Sequence, residues 1–227
     1  MSGADVATMT LLTVRVGLVS TVASAPLAIG LGYALARREF RGRALVQAAV
    51  ALPMVLPPVA VGLGLLLLLS RDGVLGSLLA RGGIAVPFTW WAAALAAAVV
   101  GFPLFVRACE QAFAETDRRY DALSRTLGLP AASTFLRVTL PLARRGVLYG
   151  ALLAFTRGLG EFGATAIVAG ILPGRTETLA LGIWSRVQAG DDRAALVLCA
   201  VSFALALVSL VAAEGWLRRR GRPPEDS

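Results

Sequence analysis

The chain is 227 residues long, 57% hydrophobic and of mean hydropathy +0.73, which leaves too little polar surface to cover a soluble globule. Lipid is therefore the expected solvent for most of it. The formal charge of +8 rests on arginine alone, since the sequence holds neither Lys nor His, and the arginines gather at the ends of apolar runs; that pattern belongs to membrane flanks and argues against nucleic acid as a partner.

These absences also exclude chemistry. A Walker A loop needs a Lys to reach nucleotide phosphates, so no cofactor is expected in this chain and any ATP used must bind to a partner subunit. Without His, and with only Cys109 and Cys199, the common His and Cys metal clusters and the Ser-His-Asp and Cys-His catalytic sets are closed off. Both cysteines fall in or beside apolar runs and read as small buried hydrophobes with no disulfide framework.

Crossing a ~30 Å hydrocarbon core takes about 20 predominantly apolar residues. Residues 1–10 read as a tail with no positive residue, which argues against a cleavable signal peptide. Spans are expected at 16–36, 44–69, 84–106, 142–172 and 194–213, the fourth interrupted only by Arg157 and Glu161. The second contains Leu52-Pro-Met-Val-Leu-Pro-Pro58, whose three prolines remove three backbone donors and must kink or break the helix. Either this is a packing kink, or Pro57 and Pro58 shape a translocation path as broken helices do in transporters. The apolar piece 178–184 is too short to cross and fits an interfacial or re-entrant segment.

Orientation follows from the arginines, which in short loops prefer the cytoplasm. One side receives Arg37, Arg38, Arg41 and Arg43, the seven from Arg107 to Arg145, and Arg218, Arg219, Arg220 and Arg222. The other holds Arg71, Arg81, Arg175, Arg186 and Arg193. The expectation is five spans with the N-terminus outside, the C-terminus inside, and residues 215–227 as a cytoplasmic tail.

The loop between the third and fourth spans has its own construction. Tyr120, Leu123 and Leu127 recur at i, i+3 and i+7 on one helix face, while Asp121 and Arg125 sit four apart on another and can pair. Gly128 suits a left-handed helix stop, and Pro130 can open a second helix that runs to Leu140 and is ended by Pro141 at the membrane. On pattern alone, an ordered cytoplasmic loop explains this as well as a docking element does. Further on, Arg157 lies a dozen residues past Arg145, some ~18 Å along a helix, and Glu161 four residues later shares its face and can neutralise it. That pair is either a self-compensating structural pair or a source of positive potential for an anion path. Gly160 and Gly163 allow close helix approach or a local opening, and Thr165 adds a hydroxyl one turn on.

The loop string Asp121-Ala122-Leu123 with Gly128 seven places after Asp121, then Leu140-Pro141, resembles the EAA loop of ABC importer permeases, with Asp121 in place of Glu and Leu123 in place of the second Ala. Leu159-Gly-Glu-Phe-Gly-Ala-Thr165 and the run 52–64 are similar to the oxyanion branch of that family, the molybdate, tungstate and sulfate permeases. The resemblance covers residues 11–214 and implies an all-α integral membrane protein, a type I ABC importer transmembrane domain with a cytoplasmic coupling helix. It implies that Tyr120, Asp121, Ala122, Leu123, Arg125, Leu127, Gly128, Leu140 and Pro141 couple the chain to an ATPase. By the same resemblance, Arg157, Gly160, Glu161, Gly163 and Thr165, with Pro57 and Pro58, line the path or its gate. One coupling loop per chain implies two copies about a two-fold axis, two ATPase subunits that bind ATP, and a periplasmic or lipid-anchored anion-binding protein, in a bacterial plasma membrane. Molybdate is the expected anion, with tungstate or sulfate as the alternative. Outside the family, an ion-coupled secondary transporter would want more intramembrane acids than Glu161, and a lipid enzyme using Asp191 and Asp192 finds them adjacent and pointing apart.

Overall fold

The computed structural model describes residues 3–219, so Arg220, Arg222 and most of the expected tail 215–227 lie outside the described residues. Within them every regular element is helical: α1 (Gly3–Arg37), α2 (Arg43–Val55), α3 (Pro58–Leu69), α4 (Val74–Arg81), α5 (Trp90–Glu115), α6 (Arg118–Thr126), α7 (Ala131–Thr134), a π segment (Phe135–Thr139), α8 (Leu140–Leu159), α9 (Gly163–Val168), α10 (Leu179–Gln188) and α11 (Asp192–Arg219). Four helical stretches there are long and apolar enough to cross a membrane, and a fifth is obtained if the bent pair α2 and α3 counts as one span.

The span bounds differ from those expected in instructive ways. α1 takes in residues 3–10, read as a tail, because nothing in Gly3–Val14 breaks a helix. The second span is two helices at 109°, since Pro57 and Pro58 cannot donate to the preceding turn. The third helix starts at Trp90, capped by Thr89, and leaves residues 84–89 outside it; it then runs on through Arg107 and Glu110 to Glu115. The fourth ends at Leu159, well short of residue 172, and α9 restarts at Gly163.

Pro141 does not end a helix. Residues Ala131–Leu159 form one continuous stretch, because the π segment widens the turn just before the proline: the Leu140 N–H bonds to the Phe135 carbonyl, five residues back. A loosened turn removes the clash between the pyrrolidine ring and the preceding carbonyl. Pro130 sits at the N-cap of α7 rather than in its first turn.

The bundle is built around α5, of whose membrane window 61% is buried, against 17% for α11. Its alanines allow close approach: Ala92, Ala93, Ala96 and Ala97 are at most 1% exposed, in one core cluster with Val16, Val61 and Val168. A second cluster, toward the α6 end, holds Leu35, Phe105, Phe113 and Val147. There α1 crosses α5 so closely that a Cβ on Gly32 would lie 2.5 Å from the Cys109 Cβ. Small residues at such crossings are how helices pack when lipid supplies no hydrophobic drive between them. Cys109 is buried as expected, but Cys199 is exposed on α11.

Candidate functional site

The α6 element starts at an Asp117 cap, whose side chain accepts the Arg119 amide at 2.8 Å. It stops at Gly128, which has φ +82, a left-handed conformation that glycine enters without a Cβ penalty. Tyr120, Leu123 and Leu127 are 51%, 60% and 76% exposed, so a short polar helix presents an apolar ridge outward, with Ala122 and Arg125 exposed beside it. A contiguous exposed apolar ridge of this kind marks an interaction surface.

Asp121 turns inward instead of pairing with Arg125. It accepts a 2.6 Å hydrogen bond from the Thr139 hydroxyl and lies 3.7 Å from the Arg37 guanidinium, whose side chain is 7% exposed and also donates to the Thr116 carbonyl at 2.9 Å. An exposed i,i+4 pair is worth only a few tenths of a kcal/mol, so a sheltered guanidinium and hydroxyl win the carboxylate. Arg118 donates to the Ala36 carbonyl at 3.3 Å, adding a second tie between α6 and the end of α1. Leu140, expected in the coupling set, instead packs against the core cluster of Phe113 and Val147, and Pro141 lies in the first turn of α8.

The second region is a meeting of two helix breaks. α3 begins at Pro58 after the bend, α9 begins at Gly163, and the two pack together with almost no clearance. A Cβ on Gly62 would lie 2.6 Å from the Ala164 carbonyl oxygen, and one on Gly163 would lie 2.8 Å from the Pro58 Cβ. Glu161 stands in the gap between α8 and α9, so the expected single helix face does not exist; the pair forms across the helix end instead. Its Oε2 is 3.0 Å from Arg157 Nη1, and its Oε1 accepts the Ala164 amide of α9 at 2.9 Å. Both carboxylate oxygens are thus engaged. Glu161 is 3% exposed, while the Arg157 side chain is 35% exposed, so the acid is sealed in and the base opens outward. Phe162 stacks obliquely on Trp184 of α10, ring centroids 5.5 Å apart.

Of the remaining expected path residues, Pro57, Pro58 and Gly160 are exposed at the breaks. Thr165 is 1% exposed, within the α3–α9 packing. Gly160 has open space around it and makes no close approach. The arrangement leaves a partly open guanidinium beside a sealed acid. Asp191 spends its carboxylate on the α11 N-terminus, accepting the Ala194 amide at 3.1 Å.

Sequence reading passed over several residues that matter here. Arg37 and Thr139 carried no signal apart from their neighbours. Glu110, which gathers Arg43, Gln47 and Arg107 at 3.4, 2.9 and 3.0 Å, was hidden by ending the third span at residue 106. Glu177, 3% exposed and 4.0 Å from Arg186, did carry a signal, as a lone acid between apolar pieces.

Comparison with known proteins agrees with this architecture. The family described as binding-protein-dependent transport system inner membrane component matches residues 28–223. The molybdenum transport system permease protein ModB of Escherichia coli (strain K12) is 41% identical over 214 residues, 93% of each chain. Its counterpart in Haemophilus influenzae is 39% identical over 92% of each. A sulfate transport system permease protein CysT of Salmonella typhimurium is 33% identical over 92% of this chain and 76% of its own. Among solved structures, a methionine ABC transporter in inward-facing conformations superposes with a TM-score of 0.69 at 18% identity, covering 98% of this chain and all of that one. The fold is therefore that of ABC importer membrane domains. The chain belongs to the family of binding-protein-dependent transport system inner membrane components, multi-pass membrane subunits that work with a substrate-binding protein and separate ATPase subunits.

Proposed function

We propose that this chain is the permease subunit of an ATP-driven molybdate importer, acting as two copies that enclose the anion path between them. The observation that carries the reading is the Arg157–Glu161 arrangement: a partly open guanidinium at a meeting of two helix breaks, backed by a sealed and fully engaged acid. Such a base supplies positive potential to a tetrahedral dianion, and its neighbouring acid keeps that potential from becoming a trap. The choice of anion rests on the 41% and 39% identical molybdenum permeases; tungstate or sulfate is the second reading, and the 33% identical sulfate relative favours it less.

With the N-terminus outside, α6 lies in the cytoplasm, where its ridge of Tyr120, Leu123 and Leu127 docks on an ATPase. Motion of that knob has a solid path inward. Asp121 grips Thr139 of the π segment, and from Thr139 to Arg157 the same helix runs 18 residues, about 27 Å, to the break at Gly160. Closure of two ATPases on ATP would draw two knobs together, tilt both α8 helices and shift α9 against α3, switching the path between its two faces.

Purified permease, ATPase and binding protein in proteoliposomes test this. Uptake of labelled molybdate that needs both ATP and the binding protein is expected; ATP-dependent uptake of sulfate in preference to molybdate would reassign the anion, and no ATP-dependent uptake would remove the role. A reporter active only in the cytoplasm should work fused after Arg222 and fail fused at Gly73; the reverse would put α6 on the wrong side.

A further inference from the structure

At the membrane boundary far from α6, a cavity of about 400 Å³ opens between α1, α5 and the segment before α10. Arg15 and Arg175 both line it, with Phe88, Thr89, Trp90 and Leu11, and no carboxylate is among its lining residues. Arg15 precedes Arg37 by 22 residues on one helix, about 33 Å of rise and so a full hydrocarbon thickness from the arginine-rich end.

Three sources of positive potential converge there. The Arg15 guanidinium lies 3.7 Å from the Trp90 ring centroid, and the ring holds the cation in place while leaving it its charge. Arg175, exposed in the loop before α10, also lines the cavity. The N-terminus of the 26-residue α5 opens into the same space at Thr89, and the amides of Trp90 and Trp91 have no acceptor within the helix. The rim is apolar: Leu11 is 71% exposed and Trp91 56%. Tryptophan and arginine at a membrane boundary are the composition of a headgroup layer.

We infer that this cavity binds a tetrahedral oxyanionic group. Two planar guanidiniums and a helix N-terminus match its several acceptor oxygens and its charge. The chemistry has two sources: the phosphodiester of an anionic phospholipid at the boundary, or a free oxyanion in the outer solvent. The site is separate from the Arg157–Glu161 pair and holds whether or not the proposed anion is the right one.

The test is the thermal-unfolding midpoint of the chain purified with its ATPase subunits, titrated separately with short-chain phosphatidylglycerol, short-chain phosphatidylcholine, sulfate and molybdate. Stabilisation by phosphatidylglycerol but not phosphatidylcholine is expected if the ligand is lipid, and stabilisation by free sulfate or molybdate if it is not. In either case Arg175→Gln should weaken the response about tenfold or more, as the loss of a charge-assisted contact requires, and Arg15→Gln should do the same. Arg175 is exposed in a loop, so its variant keeps the fold even if the Arg15 variant does not. No stabilisation of the unmodified complex by any anionic probe, or an unchanged response in Arg175→Gln, would overturn the site.

Discussion

The α6 end and the crossing of the two breaks solve opposite problems. At the α6 end, long polar side chains tie separate elements together: Arg37 to Thr116 and Asp121, Asp121 to Thr139, Arg118 to Ala36. At the crossing, α3 and α9 meet because Gly62 and Gly163 contribute no side chain at all, and the Arg157–Glu161 ion pair stands beside them. The first region is held by what its residues reach and the second by what its residues lack.

Substitutions in each region would break or sharpen the contrast. The largest effect is expected from Gly62→Val, whose side chain would press on the Ala164 backbone; a loss of about 3 kcal/mol in stability and of all uptake is expected. Gly30→Val, in open space on α1, is its control and should change little. Comparable damage from Gly30→Val would show that clearance is not what matters at the crossing.

Next comes Arg157→Gln, which strands the sealed Glu161 and should cost about 3 kcal/mol, read as lower abundance and a lower unfolding midpoint. Adding Glu161→Gln removes the stranded charge and keeps an amide oxygen for the Ala164 amide, so abundance should return. Uptake should not return if the guanidinium serves the anion; uptake at the unmodified rate in the double variant would leave only a structural pair.

At the α6 end, Asp121→Ala leaves Thr139 and Arg37 without their shared acceptor, a loss of about 1–3 kcal/mol. ATP hydrolysis should persist while uptake falls, since the knob still docks but no longer pulls on α8. Uptake and hydrolysis falling together would mean the carboxylate acts in docking instead. The smallest structural effect is expected from Leu127→Ser on the exposed ridge, within about 0.5 kcal/mol. Its readout is co-purification with the ATPase, which should drop; Gly128→Val, whose Cβ meets nothing within 4 Å, should cost only the left-handed strain of about 1–2 kcal/mol and weaken attachment in the same direction.

Much of the molecule was legible before its structure. Apolar run length locates the membrane-crossing helices though not their bounds, and arginine placement orients them, because the hydrocarbon slab imposes one length and one penalty everywhere. The α6 ridge and the Gly128 stop are local, so spacing and backbone sterics suffice to find them. Even the Arg157–Glu161 contact was visible as two charges four residues apart, although the helix that was to carry both ends at Leu159.

What tertiary structure alone decided is which partner each polar group took and where small residues were needed. Asp121 had Arg125 beside it in sequence and chose Thr139 and Arg37, 18 and 84 residues away, because a sheltered bond outweighs an exposed one. Pro141 continued a helix that local rules would end, since a π turn made room for its ring. Arg15 carried no more signal than any arginine at a span's edge until Trp90 and Arg175 were brought to it across the fold. Sequence determines what each segment can do within one or two helical turns; the pairing of distant segments, and so the cavity and the meeting of the breaks, is settled only when the helices pack.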